Sequence, residues 1–186
     1  MKNTRHNSIL KDKEEAYLEF KKSNYSKTID LLNKIITQDI TKDSACYFLL
    51  GTSYFHSNNL DLAEKNLKIS FELNPNFYDT VYNLGIIARL KENISEAIDY
   101  FYKALNLNLK NIKTLIQLAE CYEINKSFED AKKFYSKAIE IDENNKFANK
   151  GLSRILIKFG YHKLSMKYLQ KSSGLIRFKE NNYEII

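Results

Sequence analysis

The chain has 186 residues, of which 44% are hydrophobic and 28% are charged, a balance typical of a folded protein rather than a disordered one. It contains one proline and five glycines, too few for the many turns of a long all-β fold, so the composition favours helices. The net charge of +6 comes mostly from lysine, and an AT-rich genome, which inflates lysine, asparagine and isoleucine together, accounts for it. Because proteins recognise nucleic acids largely through the paired N–H donors of arginine, a charge that comes from lysine is weak support for a nucleic-acid partner.

The sequence carries no recognisable targeting segment. Its start, MKNTRHNSILKDKEEAY, lacks the apolar stretch of a signal peptide, and no later run reaches the roughly 20 apolar residues of a membrane span. The two cysteines, Cys46 and Cys121, are too few for a disulfide framework and form no metal-binding motif. We therefore expect a cytoplasmic protein without a membrane span, in which residues 1–8 form a flexible N-terminal tail.

Similar side chains recur at a fixed step of about 34 residues along most of the chain. Two registers hold small residues and two hold large apolar ones, and four registers that share one period are hard to obtain by chance. The registers are Gly51, Gly85 and Ala119; Ala63, Ala97 and Ala131; Leu50, Leu84, Leu118 and Leu152; and Leu67, Phe101, Tyr135 and Leu169.

Each period contains two stretches in which apolar residues recur at three- and four-residue spacing, which predicts two amphipathic helices. A polar tetrad separates the stretches, as in HSNN at 56–59, KENI at 91–94 and EINK at 123–126. Pro75 follows the second stretch of one period, where a proline stops a helix. In chain order, the predicted helix pairs cover about 9–43, 44–77, 78–111, 112–145 and 146–174.

The residues at these registers resemble the tetratricopeptide repeat family, whose unit is an antiparallel helix pair of about 34 residues. The family's pattern has a Leu-Gly pair and a Tyr in the first helix, followed by an Ala, an aromatic residue, a second Ala and a Pro. Three repeats keep most of this pattern, with Leu50, Gly51, Tyr54, Ala63, Leu67, Ser70 and Pro75; Leu84, Gly85, Ala97, Phe101 and Ala104; and Leu118, Ala119, Tyr122, Ala131, Tyr135 and Ala138. The resemblance implies an all-α fold, a right-handed superhelical solenoid of about five antiparallel helix pairs over residues 9–174.

The two end units follow the pattern less closely, as expected of terminal repeats that face water on one side. The unit at 9–43 is one residue out of step, which a longer loop at Thr41–Asp43 would absorb. The unit at 146–174 carries Ser165 and Ser172 where the pattern has alanine.

Residues 175–186 form a capping or docking tail, LIRFKENNYEII, which is too apolar for a plain disordered segment. The SSG before it predicts a helix C-cap, with Gly174 in the left-handed conformation. Three interpretations stay open. The tail caps the last repeat, which we favour; it inserts into the groove of a neighbouring molecule; or it is a strand that leads into a catalytic domain.

Stacked helix pairs form a curved solenoid, and the first helix of each pair lines its concave groove. The groove-facing row is offset from the Leu-Gly register, and it is aromatic and apolar in its N-terminal half but charged with both signs in its C-terminal half, at Glu123, Lys150 and Arg154. Aromatic side chains anchor apolar groups of a partner, and side-chain amides pair with the backbone of an extended peptide. The candidate partner-binding residues are Tyr17, Phe20, Phe48, Thr52, Phe55, Tyr82, Asn83, Ile86, Arg89, Lys113, Gln117 and Glu120.

A purely structural interpretation of the aromatic residues is equally open, in which Phe48, Phe55 and Tyr82 only pack between neighbouring first helices. One known use of the family fits poorly. Its chaperone-binding members hold a carboxylate with a Lys/Asn, Asn, Lys/Arg clamp over three repeats, and Phe48 and Thr52 occupy the first of the matching places here. A chaperone tail is therefore not predicted.

The sequence shows no pattern of catalytic or metal-binding residues. The three histidines, His6, His56 and His162, are scattered, and none has a second ligand at metal-binding spacing on its helix face. Glu120 and Glu123 share a helix face but have no nucleophile nearby, so they are interpreted as solvated carboxylates. No glycine-rich phosphate loop is present. We expect no enzyme activity, metal, cofactor or small-molecule substrate.

The leading hypothesis is a protein–protein interaction scaffold or adaptor that binds a peptide or helix of a partner protein in the concave groove. The alternative is a repeat domain that orients protein substrates for an attached or partnered enzyme of the transferase or hydroxylase type, by analogy with the family. A third interpretation, RNA binding, is disfavoured because the step and the alanine registers follow the tetratricopeptide pattern, and because acidic residues are interleaved with the basic ones.

Overall fold

The computed structural model describes residues 2–38, 43–173, 176–179 and 182–185, with side chains for residues 8–38 and 43–173. The described residues form ten α-helices and two short β-strands. The elements are α1 (Lys2–Lys21), α2 (Tyr25–Gln38), α3 (Ser44–His56), α4 (Leu60–Leu73), α5 (Tyr78–Leu90), α6 (Ile94–Leu107), α7 (Ile112–Ile124), α8 (Phe128–Ile141), α9 (Lys146–Lys158), α10 (His162–Ser173), β1 (Ile176–Lys179) and β2 (Asn182–Ile185).

The helices belong to two compact units, Met1–Glu92 with α1 to α5 and Asn93–Ile186 with α6 to α10 and the strands. In the first unit, α1 packs on α2 and α3 packs on α4, while α3 also contacts α1 and α5. In the second unit, α7 packs on α8 and α9 packs on α10, while α7 and α9 contact each other. In each unit the first helices of successive repeats therefore lie side by side, as α1, α3 and α5 and as α7 and α9.

The predicted small and large registers form the cores of the helix pairs. Ala63, Leu67, Ala131 and Tyr135 are all at most 1% exposed. A Cβ added to Gly51 would lie 2.7 Å from Cγ of Leu67, so the absence of a side chain lets α3 approach α4 closely. Gly51 is therefore a point of close contact between the two helices of its pair.

The turns inside the repeats also keep a common step along the chain. Asn58, Glu92, Lys126 and Gly160 have φ angles of 59°, 63°, 61° and 78°, and Ser23 has 61° in the first repeat. This left-handed conformation turns the chain sharply from the first helix of a pair to the second. The polar tetrads therefore mark real turns, although only one of the five positions is occupied by glycine, the residue that best tolerates this conformation.

Short polar side chains fix the helix starts at the repeat boundaries. Asp43 accepts a hydrogen bond from the backbone N–H of Ala45 at the start of α3. Asn111 and Asn145 do the same for α7 and α9. Each cap satisfies a backbone donor that has no partner inside the helix.

The N-terminal region is helical from Lys2, so residues 2–8, expected to form a flexible tail, are the start of α1 in this structure. The segment contains no glycine or proline that would stop the helix. Thr41, in the predicted longer loop, and Gly174, the predicted C-cap, lie outside the described residues.

The C-terminal tail contains an antiparallel hairpin in which Ile176 is opposite Ile185 and Phe178 is opposite Tyr183. This hairpin is a small β addition to an otherwise helical fold, which the all-α prediction did not include. Within the described chain, no helix has the length and apolar character needed to cross a membrane.

Candidate partner-binding faces of the first helices

Nine of the twelve candidate residues belong to the first unit, where they lie on α1, α3 and α5. Thr52 of α3 and Asn83 of α5 are directly joined, since the Nδ2 atom of Asn83 donates a hydrogen bond to Oγ1 of Thr52 at 3.4 Å. Thr52 is only 7% exposed, whereas Asn83, Ile86 and Arg89 are half-buried on α5. The predicted row therefore runs across neighbouring first helices of this unit.

Phe48 and Tyr82 are half-buried, and each contacts another ring. They are therefore neither fully open to a partner nor fully buried between neighbouring helices. The rings of Phe48 and Phe77 are 4.8 Å apart between centroids, which ties α3 to the residue before α5. Tyr82 stacks on Tyr78 of its own helix at 5.8 Å. Each ring therefore has one packed side while part of its surface remains open to solvent.

The remaining aromatic candidates lie toward the N-terminal end of the first unit. Phe20 meets the ring of Tyr25 edge-on, and Phe55 meets the ring of His56 edge-on. Tyr25 and His56 stack at 4.6 Å with an angle of 11° between their planes, so α1, α2 and α3 share a chain of ring contacts. Tyr17 is more open, with 47% of its surface exposed.

Three candidates belong to the second unit, where they lie on α7. Lys113 is exposed, and Gln117 and Glu120 are half-buried. The Oε1 atom of Gln117 is buried and has no hydrogen-bond partner among the residues that the structure describes. A buried amide oxygen without a partner carries a desolvation cost, and the rest of this half-buried side chain remains on the face of α7.

A charged network that the candidate set did not include joins α7, α8 and α9. Both guanidinium nitrogens Nε and Nη2 of Arg154 donate to the carboxylate of Glu123, at 3.1 and 2.8 Å. The hydroxyl of Tyr135 donates to the same carboxylate at 3.1 Å and accepts a longer bond from Arg154. Burial raises the pKa of Glu123, but the hydrogen bonds and the charge of Arg154 outweigh it and hold that pKa below its ordinary value. Both residues were visible in the sequence, but their pairing depends on which first helices are neighbours.

Phe147 is a second feature that the candidate set missed. It lies in the first turn of α9 and is 74% exposed. The matching positions in the preceding repeats hold Ala45, Asp79 and Lys113. The sequence could have identified Phe147, because it is a large apolar residue at a repeat position that otherwise holds a small or charged one.

The described residues contain no cluster of three or more histidine, cysteine, aspartate or glutamate side chains that could hold a metal ion. Cys46 and Cys121 form no disulfide in the described part of the chain, and both are buried. The features found on the faces of the first helices are therefore ring contacts, side-chain amides and ion pairs.

Family models of the tetratricopeptide repeat match residues 44–77, 78–111 and 112–145, with the same boundaries as the three central predicted repeats. The chain belongs to the tetratricopeptide repeat family. The unit pattern of paired helices and its constant step are thus confirmed over 44–145.

Curated relatives carry similar repeats inside much longer proteins. The UDP-N-acetylglucosamine–peptide N-acetylglucosaminyltransferase of Giardia intestinalis is 30% identical over 109 residues, which is 57% of this chain and 7% of that protein. Anaphase-promoting complex subunit 3 of Schizosaccharomyces pombe is 22% identical over 151 residues, which is 81% of this chain and 23% of that protein. This chain therefore spans less than a quarter of the length of either relative.

Solved structures of MamA share the fold of this tetratricopeptide repeat chain. One aligns with a TM-score of 0.81 and 19% identity, covering 90% of this chain and 91% of MamA. A double mutant of MamA aligns with a TM-score of 0.83 and 12% identity, covering 89% and 93%. At these identities the likeness concerns the fold.

Proposed function

We propose that this tetratricopeptide repeat protein is a non-enzymatic scaffold or adaptor, which binds a peptide or helix of a partner protein along its first helices. The half-buried aromatic row on α3 and α5 carries the proposal. Phe48 and Tyr82 are each fixed by a ring contact on one side, and the open part of each ring offers apolar surface to a ligand. Anchors that are already fixed lose little conformational entropy on binding.

Polar groups beside these rings suit an extended segment. The side chain of Asn83 is held by Thr52, so its amide oxygen has a set position on α5. In the second unit, α7 carries a further side-chain amide at Gln117. Such amides bind the N–H groups of a peptide backbone and so place a segment without reading its side chains. We place this binding in the cytoplasm, since a reducing compartment suits Cys46 and Cys121, which are not joined in a disulfide.

The proposal is tested with a Phe48→Ala and Tyr82→Ala double variant in a crosslinking pull-down read by quantitative mass spectrometry. We expect loss of the partners that the wild-type chain captures, together with an unchanged helical circular dichroism spectrum. Leu73→Ala is the matched control, because Leu73 is an exposed apolar residue of the second helix α4, and it should retain capture. Equal capture by the double variant and the wild type would contradict the proposal.

A second candidate function is a repeat domain that orients protein substrates for a transferase or hydroxylase. It is favoured by two relatives whose names are those of glycosyltransferases, the Giardia intestinalis protein and Protein O-mannosyl-transferase Tmtc3 of Drosophila melanogaster. Under this proposal the chain co-purifies with such an enzyme, and removal of the chain changes which proteins are modified. An unchanged pattern of modified proteins after its removal argues against it.

A further inference from the structure

The last helix pair holds an unusual concentration of positive charge. Residues 146–173, which form α9 and α10, contain seven lysine or arginine residues and no aspartate or glutamate. Since the whole chain has a net charge of only +6, this pair accounts for the entire excess. The other repeats carry cations and carboxylates in nearly equal numbers.

Three of these seven cations have partners outside the pair. Arg154 binds Glu123 of α7, Lys171 forms an ion pair with Glu143, and the ammonium of Lys158 lies 5.1 Å from the ring centre of Phe128. Lys146 and Lys150 are different. Both are exposed on α9, and neither forms an ion pair with another residue in the described part of the chain.

Two exposed apolar side chains share the open side of α9 with these lysines. Phe147 is 74% exposed and Ile157 is 50% exposed. At 3.6 residues per turn, Lys146, Phe147, Lys150, Arg154 and Ile157 fall within an arc of about 100° on one side of the helix. We call this set the α9 face. The opposite side of α9 is buried in the unit, with Ala148, Leu152 and Ile155 among its core residues.

The spacing of the α9 face sets what can bind there. Phe147 and Ile157 are ten residues apart, which is about 15 Å along a helix, or nearly three turns. Lys150 and Arg154 lie between them. The complement is a helix with an apolar side chain near each end of a three-turn stretch and carboxylates on the same side, opposite Lys146 and Lys150.

We propose that the α9 face binds an acidic amphipathic helix of a partner protein, with Phe147 and Ile157 as apolar anchors and Lys146 and Lys150 as the cations that pair with its carboxylates. This inference rests on the proposed function as a protein-binding scaffold and names the class of partner for the second unit. Phe147 carries it furthest, because an aromatic side chain that is 74% exposed contributes little packing to its own repeat.

The carboxylates of the neighbouring helix favour a protein partner over a nucleic acid. Glu123 accepts hydrogen bonds from Nε and Nη2 of Arg154, one of the two donor pairs that this guanidinium could offer a phosphate, and the negative charge of Glu120 also acts on Arg154. A nucleic-acid strand carries a charge about every 3.4 Å and cannot leave a gap opposite these carboxylates. A bound helix can leave such a gap, because its acidic residues need to lie only opposite Lys146 and Lys150.

The proposal is tested by fluorescence anisotropy with the full chain and a designed twenty-residue helical peptide at about 150 mM salt. The peptide carries two leucines eleven residues apart and, on the same side, glutamates both between them and next to one of them. A peptide of the same composition in scrambled order is the first control. We expect a dissociation constant of about 10 µM for the designed peptide and at least tenfold weaker binding for the scrambled one.

Two variant pairs separate the anchors from the charges. Phe147→Ala with Ile157→Ala, and Lys146→Glu with Lys150→Glu, should each weaken binding about tenfold or more. Leu109→Ala removes a side chain that is 72% exposed on the loop before α7, and Lys110→Glu with Lys133→Glu makes the same charge change elsewhere in the unit. These controls should stay within about twofold of the wild type.

Several results would overturn the inference. The first is that the scrambled peptide binds as tightly as the designed one, and the second is that the Phe147→Ala and Ile157→Ala pair leaves the affinity unchanged. The third is that a twenty-nucleotide oligo-dT, or vesicles made from equal amounts of phosphatidylserine and phosphatidylcholine, bind more tightly than the peptide through the same lysines. None of them affects capture that depends on Phe48 and Tyr82. Failure of this inference is therefore distinguishable from failure of the proposed function.

Discussion

At the scale of single residues, Gly151 and Tyr135 show how one large core residue is accommodated in the second unit. The Tyr135 ring is 1% exposed, and its hydroxyl is satisfied by Glu123 and Arg154. A Cβ added at Gly151 would lie 2.2 Å from two atoms of this ring. The bulk of Tyr135 in α8 therefore requires the absence of a side chain in α9.

We expect Gly151→Ala to lower the free energy of unfolding by about 1–3 kcal/mol, because the buried ring cannot move away without breaking its hydrogen bonds. Urea denaturation followed by circular dichroism measures this loss. In a Tyr135→Leu background, which places at this register the residue that Leu67 supplies elsewhere, Gly151→Ala should cost much less. Equal losses in both backgrounds would show that the ring is not the cause.

The left-handed turns give a second expectation. Lys126 has a φ of 61°, which costs a non-glycine residue roughly 1–2 kcal/mol, so Lys126→Gly should raise the free energy of unfolding by about 0.5 kcal/mol after the added flexibility of the unfolded chain. Gly160→Ala should lower it by about 1 kcal/mol, although nothing lies within 4 Å of the new methyl group. Thermal unfolding of both variants measures these opposite signs.

The neighbouring Asn125 supplies the control for the turn. Its φ is −72°, in the ordinary region for any residue. Asn125→Gly therefore relieves no backbone strain and should lower the free energy of unfolding. A gain in stability for Asn125→Gly would mean that glycine acts at this turn through something other than its backbone conformation.

At the scale of helices, the last pair replaces a small apolar contact with a hydrogen-bonded one. Ser165 stands where the family pattern has alanine, and its hydroxyl donates to the carbonyl of Ser153 at 3.0 Å. The two serine hydroxyls lie 2.9 Å apart, and both residues are at most 2% exposed. The departure from the pattern therefore joins α9 to α10 through polar groups.

A double-mutant cycle on these serines tests that contact. Ser153→Ala and Ser165→Ala should each cost about 1 kcal/mol, since each leaves the other hydroxyl with fewer partners in the core. The double variant should cost less than the sum, because it removes both groups together. Strict additivity in urea denaturation would show that the two hydroxyls act independently.

The C-terminal hairpin is the second element whose role can be tested. Apolar residues are paired across the two strands of the hairpin, with Ile176 opposite Ile185 and Phe178 opposite Tyr183. A hairpin of two strands is marginal alone in water, and β1 lies next to α10. We propose that the hairpin caps the last repeat.

Deletion of residues 175–186 should then lower the melting temperature by several degrees. A full-length variant with Ile176→Ser and Phe178→Ser should lower the melting temperature by a similar amount. This variant separates the effect of the apolar residues from the effect of chain length. If the deletion changes neither the melting temperature nor the oligomeric state, the hairpin has no capping role.

At the scale of the whole molecule, the repeat pattern was predictable, whereas the surroundings of the candidate partner-binding residues were not. Positions such as Ala63 and Leu67 are buried within their own repeat pair, so the local pattern contains the information that places them. The environment of Phe48 depends on Phe77, and that of Glu123 on Arg154, which lie in neighbouring repeats. The groove row could be named from helical spacing alone, but half-burial and ion pairing follow from contacts between repeats.

Ion pairs of this kind recur in both units, and they make stability depend on pH. Hydrogen bonds from Lys68 and Lys91 outweigh burial and lower the pKa of Glu64 in the first unit. In the second unit, Arg154 and Tyr135 outweigh burial at Glu123, and Lys171 lowers the pKa of Glu143. A carboxylate whose pKa is lower in the folded chain stabilises it above the unfolded pKa, about 4.3 for glutamate, and this contribution disappears as the pH falls through the folded value.

The urea midpoint should therefore change little from pH 7 to about pH 5 and fall steeply below about pH 4.3, as protons bind more readily to the unfolded chain. Glu123→Gln should lower the midpoint at pH 7 and flatten the acid limb, so that its curve approaches that of the wild type at low pH. Glu140→Gln, which removes an exposed carboxylate of α8, should leave the curve parallel to the wild type. Parallel curves for Glu123→Gln would mean that the network of Glu123, Arg154 and Tyr135 makes no net contribution to the stability of the folded chain.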